Sequence, residues 1–219
     1  MSSIENKKST KGGVILCALV VLLTILIDQL VKYEIKTNFV LGEEKPIFGD
    51  WFILHFTENN GMAFGIEFGG NIGKYLLTSF RIIAVIGISW FIWGQIKTYA
   101  SKLFIISMGL VLAGAIGNII DSIFYGVWFE DINRYDGGWF RGRVVDMFYA
   151  PIINGHWPEW SPIWAGEEFI FFRPVFNVAD AAISIGVGLI ILNQKKFFTS
   201  SLADTETEMN IEINRNQEV

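Results

Sequence analysis

Cysteine is almost absent from this chain of 219 residues. The single Cys17 excludes an internal disulfide and any cysteine-built metal site. Histidine is nearly as scarce: His55 and His156 lie far apart and make no helical ligand pair, so no metal is expected. Charged residues are only 18% of the chain, and a net charge of -5 leaves no basic surface for nucleic acid. Familiar catalytic signatures are missing too: there is no G-x-S-x-G, no H-E-x-x-H and no phosphate-cradling Walker loop. No internal repeat is visible, and nothing calls for a cofactor.

What the chain has is apolar length. Hydrophobic residues make up 52%, with 19 Phe and 8 Trp, a composition that points to a multi-span membrane protein with interfacial aromatic belts. Four segments are long enough to cross a bilayer as helices: 12–33, 72–96, 103–124 and 169–192. The first reads as an uncleaved span, because Ile-Leu-Ile-Asp is a poor signal-peptidase site and Leu16 before Cys17 rules out lipidation there. Between the spans lie 34–71 and 125–168. Trp51 to Thr57 reads as a strand, Asn60-Gly61 as a hairpin dipeptide, and Met62 to Phe68 as a returning strand. The second loop carries a Trp-rich run through Trp157, Trp160 and Trp164, suited to a membrane surface. Residues 194–219 are polar and acidic and read as a disordered tail. The fold class expected is therefore a mainly helical membrane domain over 12–193, with four helices, a small β hairpin or cradle and a long outer loop.

Lysines flank the spans near the N-terminus, at Lys97 and Lys102, and at Lys195 and Lys196. The positive-inside rule then puts both termini, including residues 1–11 and the tail, in the cytoplasm and both loops outside. That topology gathers the intramembrane polar residues. Asp28 and Lys32 fall in the last turns of helix one, Asn118 and Asp121 near the end of helix three, Asn177 and Asp180 two to three turns into helix four. Asp146 lies in the outer loop. All of them occupy one layer of the outer leaflet at 1.5 Å rise per residue. Asp28 and Lys32 read as a helix-surface ion pair. Gly109, Gly114 and Gly117 read as close-packing positions. Arg81, inside helix two, reads as a snorkelling or ion-paired cation rather than a catalytic group. Asp180 has no Lys or Arg within a turn; Arg173 is two turns away.

Two carboxylates held together in a low-dielectric site share a proton, and such a pair can hydrolyse an amide without metal or nucleophilic side chain. Composition and spacing make an aspartyl dyad plausible and leave open which pair forms it. Two rival classes remain: a small proton-coupled transporter relaying through Asp28, Asp121 and Asp180, and a scaffold docking through its Trp-rich loop. The transporter lacks the internal repeats common in its class, and its polar layer sits off-centre.

Five stretches carry a resemblance. They are Asp28-Gln29-x-x-Lys32, Asn59-x-Gly61-x-Ala63-Phe64, Gly114-Ala115-x-Gly117-Asn118-x-x-Asp121, Val144-Val145-Asp146 and Phe176-Asn177-x-Ala179-Asp180. Together, in this order and on four spans, they resemble the bacterial lipoprotein signal peptidases, also called signal peptidase II. The resemblance implies an aspartic endopeptidase of the inner membrane that cleaves diacylglyceryl-modified prolipoproteins just before the lipid-bearing cysteine. It implies Asp146 and Asp180 as catalytic aspartates, with Asn59, Gly61, Gly114, Asn118, Asp121, Asn177 and Ala179 around them, and Asp28 and Lys32 tying helix one to the site. Membrane lipid and globomycin-type inhibitors are the other partners implied. The chain departs from the family where an Arg usually follows the helix-three Asp: here it has Ser122. Arg141 or Arg143 is expected to replace that donor. Ala181 stands where a Ser usually follows the helix-four Asp.

Overall fold

A computed structural model describes residues 2–60, 70–98, 101–151, 153–171, 174–195 and 197. Gly61, the strand expected over 62–68, Arg173 and the tail beyond 197 lie outside the described residues. The architecture is mainly helical with small antiparallel sheets. Four helices are described: α1 (Ser2–Asn38), α2 (Gly70–Lys97), α3 (Lys102–Trp128) and α4 (Val178–Leu192). Strands β1 (Glu44–Phe48), β2 (Phe52–Asn59), β3 (Val144–Tyr149) and β6 (Val175–Phe176) form one sheet in the order β1-β2-β3-β6. Strands β4 (Ile153–His156) and β5 (Glu168–Phe171) pair as a separate hairpin below the Trp-rich tip.

Among the described residues, three helices are long and apolar enough to cross a membrane: Thr10–Asn38, Ile72–Lys97 and Lys102–Trp128. Their outward faces carry exposed Leu22, Leu26 and Leu30 on α1 and Phe80, Ile83 and Trp90 on α2. A bilayer can cover such a surface and water cannot without cost. Helix α1 is longer than the expected 12–33, because no Gly or Pro interrupts it between Val14 and Leu41.

Helix α4 is a correction. The apolar run 169–192 is not one helix: 169–171 lie in β5, 175–176 form β6, and α4 has 15 residues. At 1.5 Å per residue that is about 22 Å, short of the roughly 30 Å hydrocarbon core. Pro174 disfavours helix in the residue before it, and Asn177 then starts α4 with a capping box. Asn177 and Asp180 are thus the N-cap and third residue of the first turn, not groups deep inside a span.

Two apolar clusters bracket the polar layer. Cys17, Ile92, Ile96, Ile105 and Leu112 join α1, α2 and α3 at one end. Ile35, Phe56, Tyr125, Val145 and Met147 join the other ends of α1 and α3 to the sheet. Glycine sets how closely α3 and α4 approach. A Cβ on Gly114 would strike the Ala179 carbonyl, and one on Gly186 would stand 2.5 Å from the Ser107 carbonyl oxygen.

Candidate active site

Asp146 lies in the middle of β3, not in an irregular loop. Period-two alternation puts Val145 and Met147 into the apolar cluster and turns Asp146 to the opposite face. The strand is anchored on both sides. Thr57 of β2 pairs with Asp146, and Phe148 pairs with Phe176 of β6. Continuing the second register toward the start of β3 brings Asn177 opposite Met147, one residue from Asp146. The segment before β3 is tied to α3 by backbone bonds from Gly138 to Gly126, Phe140 to Ile123 and Gly142 to Ser122. No side chain fits at Gly142, where a Cβ would meet the Asp121 carbonyl.

Asn177 links the two aspartates. Its Nδ2 donates to Asp146 Oδ1 at 2.7 Å and to Asn118 Oδ1 at 3.2 Å. Its Oδ1 accepts from the Asp180 backbone N–H at 2.9 Å. Asn118 Nδ2 then donates to Asp180 Oδ1 at 2.8 Å, and Asn59 Nδ2 donates to Asp146 Oδ2 at 3.2 Å. The Asp146 carboxyl is pushed up to about 7, by burial first and by the neighbouring charge of Asp180 second; hydrogen bonds from Asn177 and Asn59 act against the shift.

A second group of charges adjoins this one. Lys32 is fully buried and directs its ammonium at Asp121 Oδ2 (2.7 Å), Asp28 Oδ2 (2.9 Å) and Asn118 Oδ1 (3.0 Å), using all three donors. Asp28 Oδ1 accepts from the Ala179 N–H at 2.8 Å, which joins α1 to the first turn of α4. Asp121 also accepts from Gln29 Nε2 at 2.9 Å and from the Val145 N–H at 3.3 Å. Gly117 sits where a Cβ would lie 2.6 Å from Asp28 Oδ2, so the residue there must be glycine for Asp28 to keep its place. Gly114 brings the Ala179 carbonyl against α3.

Arg141 and Arg143 are placed elsewhere. Arg141 Nε donates to the Tyr75 hydroxyl at 3.2 Å, and the Arg143 guanidinium lies 4.6 Å from the Tyr135 ring centre. Among the described residues neither has a hydrogen bond or ion pair to Asp146 or Asp180. Ser122 Oγ donates to the Asn118 carbonyl of its own helix at 2.8 Å. Arg81 on α2 is a cation in electrostatic reach of Asp180, Asp121 and Asp146, beside Lys32, which acts on Asp146 and Asp121. Sequence reasoning treats Arg81 as a background charge. The available signal is spacing: Lys74, Thr78 and Arg81 repeat at four and three residues, one helix face. Sequence reasoning also misses Gln29 as a site residue, although it stands directly after Asp28 and bridges Asp28, Asp121 and the Tyr125 hydroxyl.

The comparisons with known proteins agree with one another. A family model described as signal peptidase (SPase) II matches residues 20–196. The chain belongs to the signal peptidase II family. Lipoprotein signal peptidase of Porphyromonas gingivalis is 46% identical over 192 residues, covering 82% of this chain and 82% of that protein. Lipoprotein signal peptidase of Amoebophilus asiaticus is 42% identical over 181 residues, covering 80% and 76%. A solved bacterial membrane enzyme, determined by the in meso method at 2.3 Å resolution, superposes with a TM-score of 0.57 at 26% identity, covering 82% of this chain and 87% of that one. This signal peptidase II is thus an aspartic-type hydrolase and a bacterial integral membrane protein that removes signal peptides from lipoproteins. The transporter and scaffold readings fall with that result.

Proposed function

We propose that Asp146 and Asp180 are the catalytic dyad of this peptidase. The observation that carries the reading is the single side chain of Asn177, which bonds Asp146 and caps against Asp180 at once. Asp146, with its carboxyl near 7, holds the shared proton; Asp180 acts as the base. Asp180 takes a proton from water as the water oxygen bonds to the scissile carbonyl carbon, and Asp146 gives its proton to the carbonyl oxygen. The resulting diol collapses: Asp146 recovers a proton from one hydroxyl, the C–N bond breaks, and Asp180 passes its proton to the leaving nitrogen. Both side chains end as they began.

The substrate class is the diacylglyceryl-modified prolipoprotein, cut just before the lipid-bearing cysteine at the outer face of the bacterial inner membrane. The acyl chains fix that cysteine at the interface, and a dyad in the outer leaflet reaches the bond without drawing lipid into water. Asn59 and Asn118 supply amides beside backbone groups that unwinding would expose in lipid. Both termini are cytoplasmic in this reading, and globomycin-type inhibitors occupy the same cleft. The test is incubation of detergent-purified protein with a diacylglyceryl-prolipoprotein, comparing wild type with Asp146→Asn and Asp180→Asn. Wild type should release the signal peptide and both variants should fail while staying folded; turnover by either variant rejects the dyad.

A further inference from the structure

Helix α2 presents a polar stripe to the active-site layer. Lys74 and Thr78 are buried, and Arg81 follows on the same face. Below them Val85, Ile88, Ile92 and Ile96 continue that face into the apolar cluster with α1 and α3. Arg81 therefore faces inward, not toward lipid, and its Nη1 is shielded from solvent. It stands 11 residues into α2, about 16 Å along the axis, and Asn118 stands 10 residues before the end of α3, about 15 Å, so the two share a depth.

Charge around this layer comes from every packed element. Helix α1 brings Asp28 and Lys32, α3 brings Asp121, β3 brings Asp146 and α4 brings Asp180. Glu58 of β2 is committed to Lys36, and Lys74 donates to the Arg141 carbonyl at 2.9 Å and to Asn60 Oδ1 at 3.4 Å. Lys32 is ion-paired with Asp28 and Asp121 and acts on Asp146 only at longer range. The Asp146–Asp180 pair must nevertheless hold one negative charge in a low-dielectric site, and a buried charge needs compensation. Among the described residues, the Arg81 guanidinium has Asp180, Asp121 and Asp146 all within electrostatic reach.

We propose that Arg81 is a positioning residue of the active site: its guanidinium supplies the positive charge that lets the Asp146–Asp180 pair carry one proton rather than two. Arg81 donates no proton and attacks nothing. It acts through the dyad, so the inference rests on the dyad assignment. Without its charge the pair stays doubly protonated to a higher pH and lacks the carboxylate that activates water.

The experiment measures the pH dependence of kcat/KM for prolipoprotein cleavage in detergent-purified wild type, Arg81→Gln and Arg81→Lys, with Asp180→Asn as control. Arg81→Gln should move the acid limb up by about one to three pH units, the usual effect of an opposite charge on a nearby carboxyl. On the wild-type acid limb that is a loss of about 10- to 1,000-fold, shrinking as pH rises. Arg81→Lys, which keeps the charge, should hold the wild-type limb and keep at least about a tenth of the rate. An unmoved limb in Arg81→Gln overturns the proposal, whether the rate is retained or falls equally at every pH. If Arg81→Gln fails to insert, Arg81→Lys still decides: a displaced limb with the charge kept overturns the proposal, and a wild-type limb sustains it. Inactive wild type, or active Asp180→Asn, would instead reject the dyad itself.

Discussion

Asp121 and Asp146 are both buried aspartates of one polar layer, and they are wired oppositely. Asp121 meets an ammonium at 2.7 Å, a carboxamide and a backbone N–H. Among the described residues, the side-chain hydrogen bonds to Asp146 come from the neutral amide groups of Asn177 and Asn59. Where charge is met by charge, the carboxylate's work is to hold α1 and α3 together. Where charge is met by neutral amides and a second carboxyl, the proton is exchangeable and the group suits acid–base chemistry. In the proposed dyad, the same side chain thus serves architecture in one half of the layer and chemistry in the other.

Substituting both aspartates is the sharpest way to break that contrast. Asp146→Asn should lower prolipoprotein cleavage by about 1,000-fold or more while leaving the unfolding temperature in detergent near wild type, since acid and base act as a unit. Asp121→Asn should do its damage through the fold, lowering the unfolding temperature along with activity. Equal thermal effects from the two changes would erase the distinction. Next in size is Lys32→Met, which strands Asp28 and Asp121 in a buried site and should cost on the order of 3–5 kcal/mol. Combining it with Asp121→Asn should recover part of that loss, read as a rise in unfolding temperature over the single variant.

The pH response sharpens the comparison further. Asp146 is raised from 3.8 to about 7, so above about 7 it gives up the proton the reaction needs, and cleavage should fall with an alkaline limb near that value. Stability responds with a definite sign. Between about 4 and 7 the folded chain holds a proton on Asp146 that the unfolded chain releases, so stability declines as pH rises through that window and levels off beyond it. Asp146→Asn should flatten that decline; an unchanged slope assigns it to another group. The smallest effect is expected at Arg141 and Arg143. Their side chains rest on Tyr75 and Tyr135, and a Gln at either position should change the cleavage rate by less than about twofold, with initial rates as the check.

Much of this architecture is legible in the order of residues. Apolar runs without breakers announce α1, α2 and α3, and the motif stretches name Asp28, Asn59, Asp121, Asp146 and Asp180, which Lys32, Asn118, Asn177 and their hydrogen bonds draw together. Helix α4 is not legible, because apolarity alone does not separate a span from the strand–cap–helix sequence of 168–192. Reading that run as one helix places Asn177 and Asp180 deeper than they lie. Arg81 is visible as a charge and unreadable as a member of the site, since a helix face acquires meaning only once its neighbour is known.

What the sequence alone determined is the membrane character, the family and the set of polar residues available, since these depend on composition, run length and local spacing. Only the tertiary structure decided which carboxylate receives the ammonium and which receives amides. That choice turns on pairings between residues 59, 118, 146 and 177, whose closeness comes from the β2-β3-β6 register and the glycine-tight crossing of α3 on α4. Electrostatics falls steeply with distance in a low dielectric, so angstroms set by packing outweigh anything the order of residues can state.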